Sequence, residues 1–118
     1  MLEILNELPD NIFGFRLVGR IGPGEYRDAM PLIDKIVAKT KSTRILVDWK
    51  DLNGWTPEAE SEAFWERINH RDTFERVAIV GPQQWQNEAG IVSQILDCEV
   101  RFFEVVDEHA ALEWLNDL

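Results

Sequence analysis

The feature that most constrains this chain is a change of polarity within Arg44-Ile-Leu-Val-Asp-Trp-Lys-Asp-Leu-Asn-Gly-Trp55. Ile45, Leu46 and Val47 are apolar at successive positions, which suits a strand covered on both faces in the middle of a sheet. Asp48, Lys50, Asp51 and Asn53 then arrive within six positions. Gly54 permits a sharp turn, Trp55 follows it, Thr56 suits a helix N-cap and Pro57 the first helical position. The stretch therefore predicts a buried strand, a polar loop carrying a tryptophan, and a helix. In open α/β sheets ligands sit beyond the carboxyl ends of strands, so this loop is the first place to look for a site.

Around it, strand and helix patterns alternate. Residues 1–8 and 12–20 read as an antiparallel hairpin turning at Pro9-Asp10-Asn11, with Phe13, Phe15 and Leu17 on one face. Tyr26, Met30, Ile33 and Val37 recur at helical spacing, with Pro31 expected to kink that helix or shift its start. Residues 57–70 read as a second helix, with Ala59, Ala63, Phe64 and Ile68 on its apolar side. A short buried strand over residues 76–80 ends at Gly81. Pro82 opens a third helix striped by Trp85, Ala89, Val92 and Leu96. Residues 99–106 form the last strand, and Asp107 caps a final helix carrying Ala111, Leu112, Trp114 and Leu115. The pattern is β-β-α-β-α-β-α-β-α. It predicts one α/β domain over residues 1–118: a mainly parallel five-stranded sheet with an N-terminal antiparallel hairpin, four helices and right-handed crossovers.

Composition narrows the function. The formal net charge of −10 leaves too little cation to displace phosphate counterions, which excludes nucleic acid as a partner and limits any membrane contact to a peripheral one. Cys98 is the only cysteine, so no intrachain disulfide forms and the context reads as cytoplasmic. The sequence has no signal-peptide pattern and no apolar run of the ~18 residues a membrane span needs.

Gly19-Arg-Ile-Gly22-Pro-Gly24 lies between a strand and a helix, but its spacing departs from the dinucleotide fingerprint and no Walker lysine follows, so it reads as a turn. Asp48, Lys50 and Asp51 form a charged cluster suited to acid/base work or an ion pair. His70 sits at a helix end without a nucleophile in view. No histidine or cysteine pairing suggests a metal, no cofactor is implied, and Cys98 has no activating neighbour. Trp55, Trp65 and Trp85 gather near helix starts, where they lid a core or wall an apolar pocket.

Three segments together, Ile45-Leu-Val-Asp-Trp-Lys-Asp-Leu-Asn-Gly-Trp55, His70-Arg-Asp-Thr-Phe-Glu-Arg-Val-Ala-Ile-Val-Gly81 and Val100-Arg-Phe-Phe103, resemble the SpoIIAA-like bacterial proteins. These are grouped with STAS and Sec14 (CRAL-TRIO-like) domains. The resemblance covers nearly the whole chain. It implies a sheet built from successive βα turns and no established enzyme. It also brings the family's suggested properties: a small apolar ligand held between mobile helices, loose membrane association and homodimers. The anti-sigma-factor antagonists that name the fold carry a phosphorylatable serine at the start of the helix after the central strand. Here the neighbourhood reads Asn53-Gly-Trp-Thr-Pro57. Thr56 serves as an N-cap there, and a phosphate at a helix N-terminus would be tolerated.

Two functional expectations follow. The first is a non-enzymatic binding module for a small apolar or amphipathic, lipid-like ligand. Trp55, Phe64, Trp65 and Trp85 would wall its pocket, with Asp48, Lys50 and Asn53 as the polar rim. The second is a STAS-type protein-interaction module acting through residues 53–56 or as a homodimer, with Thr56 as its phosphorylation candidate. A small enzyme using Asp48, Asp51 and His70 ranks behind both.

Overall fold

In a computed structural model, residues 1–5, 8–9, 12–22, 24–25, 27–28, 31, 34–35, 44–56 and 74–117 are described. The expected central strand is central. A five-stranded sheet has the order β1-β2-β4-β6-β7, built from β1 (Leu2–Leu5), β2 (Ile12–Leu17), β4 (Arg44–Asp48), β6 (Arg76–Gly81) and β7 (Glu99–Glu104). β1 runs antiparallel to β2, and the other three pairings are parallel. The sheet is thus mixed, with its one antiparallel edge where the hairpin pattern put it.

Two further strands make a ribbon that the sequence reading did not foresee. β3 (Gly19–Ile21) pairs in parallel with β5 (Leu52–Trp55). The strand expected over residues 12–20 breaks after Leu17 because Gly19 takes a φ of 73°, and β3 leaves the main sheet there. The loop expected over residues 48–56 is short. Leu52–Trp55 regains strand geometry because Gly19 N–H donates to Asp51 O at 2.9 Å and Thr56 N–H to Ile21 O at 2.9 Å.

Two α-helices have both ends among the described residues: α1 (Gln86–Ile95), led in by a 3₁₀ turn at Gln83–Trp85, and α2 (Glu108–Asn116), led in by one at Val105–Asp107. Both lead-ins shorten the expected elements: Pro82 precedes a 3₁₀ turn, and the last strand stops at Glu104. Asp107 stands at the N-cap of α2 without a side-chain capping bond. Gly24, Glu25, Arg27, Asp28, Pro31, Asp34 and Lys35 are helical, within the region expected to form the first helix. The second expected helix, residues 57–70, lies outside the described residues.

Strand alternation divides the core in two. Phe13, Phe15, Leu17, Ile45, Val47, Val77 and Ile79 face one side and pack with Ala89 and Val92 of α1 and with Leu96 at its C-cap. Ile12, Leu46, Ala78 and Val80 face the other and pack with Ala111 and Leu115 of α2. The second layer is anchored by arginines. Arg44, nearly buried, donates through Nη1 to Leu115 O at 2.6 Å and also to Asp117 O, while Arg76 Nη1 donates to Trp114 O at 2.7 Å. Cations thus meet the carbonyl end of α2, where the helix dipole favours them. Trp114 completes the anchor, with the Arg76 and Arg101 guanidiniums each 5.3 Å from its ring centroid.

Candidate functional site

The carboxyl end of β4 splits into two environments. Asp48 shares the parity of Leu46 and faces α2; Trp49, one residue later, shares that of Val47 and faces α1. The two side chains are among the most deeply buried in the chain, at 1% and 0% exposure.

Asp48 is the hub of an ionic network. Its Oδ2 accepts from Arg16 Nε at 2.9 Å, and its Oδ1 accepts the Lys50 backbone N–H at 2.8 Å, fixing the turn after β4. The Lys50 ammonium lies 3.6 Å from Asp48 Oδ2 and donates to both Glu108 oxygens, at 3.1 and 3.0 Å. Arg16 also reaches Glu3 at 3.7 Å. The hydrogen bond to Asp48 raises the Arg16 guanidinium above its ordinary value. For Lys50, burial is the largest single influence and acts to lower it. The hydrogen bond to Glu108 and the charges of Asp48 and Glu108 together outweigh that, so its pKa rises. A carboxylate with both oxygens engaged by cations and a backbone N–H is a structural clamp. It is poorly placed to act as a general base.

The opposite environment is aromatic. The Trp49 and Trp55 rings lie 5.5 Å apart at 83°, and Trp55 and Trp85 lie 5.6 Å apart at 79°, so the three indoles form an edge-to-face chain. This chain joins the central strand, the β3–β5 ribbon and the lead-in to α1. Glycines let it close. Gly54 has a φ of 113°, and a Cβ there would lie 3.5 Å from Trp85 Cη2; a Cβ on Gly81 would lie 3.0 Å from Trp49 Cβ. Neither Trp49 nor Trp85 Nε1 has a hydrogen-bond partner among the described residues.

Of the expected site residues, Asp48 and Lys50 meet each other on the α2 side, while Trp55 and Trp85 meet on the α1 side. Asn53 is exposed on β5. The polar rim therefore does not border the tryptophans: an odd-numbered offset along β4 sends the two groups through opposite faces of the sheet. Phe64 and Trp65 lie outside the described residues, as does His70. Thr56 ends the ribbon with Oγ1 buried against Gly22, a Cβ on which would lie 3.7 Å from that oxygen. The G-x-x-G-x-G segment, expected to be a turn, is instead divided: Gly19–Ile21 form β3, Gly24 is helical, and Gly22 between them admits Thr56. Cys98 is half-buried, and burial pushes its thiol above the usual range.

Sequence reasoning missed Trp49, Arg16 and Glu108. Trp49 was legible, because Ile45, Val47 and Trp49 share one parity. Arg16 and Glu108 lie 32 and 58 residues from Asp48 and Lys50 and carried no local signal.

A family model described as SpoIIAA-like matches residues 12–116. The chain belongs to the SpoIIAA-like family. Among solved structures it is similar to an uncharacterised protein of the DUF3478 family with a SpoIIAA-like fold from Shewanella loihica PV-4. The two share 26% identity and a TM-score of 0.75 over 98% of this chain and 92% of that one. It also matches the anti-sigma factor antagonist SpoIIAA in its unphosphorylated form, at 11% identity and a TM-score of 0.69 over the full length of both chains. That second likeness is one of fold. No protein of curated function matches the chain.

Proposed function

We propose that this SpoIIAA-like protein is a non-enzymatic, STAS-type interaction module of the cytoplasm, and that its contact surface is the outer side of the β3–β5 ribbon at residues 53–56. The observation that carries the reading is the tryptophan chain. Trp55 is wedged between Trp49 and Trp85, so the ribbon is held at the carboxyl end of the sheet while Asn53 stays exposed. A rigid scaffold presenting a short polar segment suits recognition of another protein. The related fold whose printed description is an anti-sigma factor antagonist supports the same class of role. Asp48 is fully engaged, which argues against acid/base catalysis from this end of β4. The apolar-ligand alternative is weaker, because the indoles pack on one another and the charged groups lie on the far face. A switch at Thr56 would require its buried hydroxyl to open first.

The test is site-specific photocrosslinking in the cell of origin, with a benzophenone amino acid at Asn53 or, as a control on α2, at Glu113. A discrete adduct at position 53 that disappears with Trp55→Ala, and no adduct at 113, supports the reading. Equal adducts at both positions, or none at 53, would overturn it.

A further inference from the structure

β6 and β7 are parallel neighbours, but the chain leaves them toward opposite faces of the sheet. From β6 it turns through Gln83–Trp85 into α1, whose Ala89 and Val92 pack on one layer of the core. From β7 it turns through Val105–Asp107 into α2, whose Ala111 and Leu115 pack on the other. Two such departures open a crevice at the carboxyl ends of the strands, the topological switch point where open α/β sheets bind ligands. A cavity of about 450 Å³ lies there, within the size range of small-molecule sites. Gln83 and Gln86 line it from the start of α1, Glu104 and Asp107 from either end of the turn into α2, and Phe102 and Phe103 from the end of β7. Phe102 and Phe103 pack on opposite layers of the core, so the cavity gains apolar surface from both.

We propose that this cavity binds a small organic ammonium ion, an aliphatic amine with an apolar stem. Charge fixes the sign of the ligand. The N-termini of α1 and α2 meet the cavity at Gln86 and Asp107, and each brings about half a positive charge. The carboxylates of Glu104 and Asp107 carry a full negative charge each and outweigh them. Among the described residues both are uncommitted, with neither a side-chain capping bond nor an ion pair. Lys50, which reaches α2, is held by Asp48 and Glu108 instead. The side-chain carbonyls of Gln83 and Gln86 offer neutral acceptors to ammonium N–H groups, and Phe102 and Phe103 accommodate the stem. A metal ion fits less well, because among the described residues no three His, Cys, Asp or Glu side chains gather to hold one. A carboxylate or phosphate group would meet two like charges. None of these lining residues belongs to the β3–β5 ribbon, so the site stands or falls independently of the contact proposed above.

The probe is hexamethylenediamine, titrated into the ¹⁵N-labelled full chain at constant ionic strength. Hexanoate and calcium chloride are the comparison arms. The proposal expects saturable shifts of the backbone amides at residues 83–86, 102–104 and 107–110, and of the side-chain amides of Gln83 and Gln86. Glu104→Gln with Asp107→Asn, which keeps the shape, is expected to weaken binding about tenfold, as the loss of two exposed charge pairs would. Glu104→Gln alone is expected to weaken it less and guards against a folding defect. Glu113→Gln, an exposed carboxylate further along α2, is expected to leave it unchanged. Equal binding of hexanoate, calcium shifting the same amides as strongly as the diamine, diamine shifts spread over carboxylates elsewhere, or unchanged affinity in the double variant would each overturn it.

Discussion

The layer under α1 and the layer under α2 diverge most sharply at two neighbouring residues, Trp49 and Asp48. On the α1 side, stability at the end of β4 comes from area: the fully buried indole of Trp49 packs edge-to-face on Trp55, which packs in turn on Trp85. On the α2 side it comes from charge, in the Arg16–Asp48–Lys50–Glu108 network and the arginines clasping the helix end. The difference teaches how to read a charged, aromatic run at a strand end. Residues adjacent in sequence serve opposite layers, so a cluster in the sequence is two clusters in space. Here one cluster fixes a ribbon and the other ties α2 to the sheet.

The comparison can be broken by experiment, beginning with the largest effect. Trp49→Ala removes the most buried large side chain and is expected to cost about 3–5 kcal/mol in urea unfolding. It should also erase most of the near-ultraviolet circular dichroism from coupled indoles. Gly54→Ala forces a Cβ into a φ of 113° against Trp85. It is expected to cost about 1–3 kcal/mol and to weaken the same aromatic signal. Asp48→Asn keeps the shape but removes the charge shared by Arg16 and Lys50. Its expected cost is about 1–3 kcal/mol with the aromatic signal intact, which would sharpen the contrast between layers.

Smaller effects concern titration. The raised pKa of Lys50 means that the folded state holds that proton more tightly than the unfolded chain. The stabilisation is complete below the ordinary lysine value and is lost as pH climbs through the folded one, so it fades only at alkaline pH. Lys50→Gln should flatten that part of the stability profile. Smallest is Cys98. With its thiol raised by burial, it should react with iodoacetamide near pH 8 more slowly than in the unfolded chain.

Much of the main sheet was legible because its strands are local and strongly patterned. Ile45-Leu46-Val47 marked the centre, Phe13, Phe15 and Leu17 marked a face, and Ala89 and Val92 marked the buried side of α1, with Leu96 at its C-cap. The ribbon was not legible. Leu52–Trp55 contains Asn53 and Gly54, residues that depress strand propensity, and its partner β3 lies more than 30 residues away. Nor was the division of the candidate site. Asp48, Lys50, Trp55 and Trp85 were expected to line one ligand pocket. Their assembly into one pocket treated the end of a strand as a loop free to gather its side chains. Alternation persists through Trp49, and the Asp48 bond to the Lys50 N–H fixes the following turn.

The separation of the two layers is tested most directly by a double-mutant cycle between Asp48→Asn and Trp55→Leu, measured by urea unfolding. If the charged and aromatic clusters occupy opposite faces, the two costs add to within about 0.5 kcal/mol. A coupling energy of about 1 kcal/mol or more would place both groups in one shared site and contradict the account.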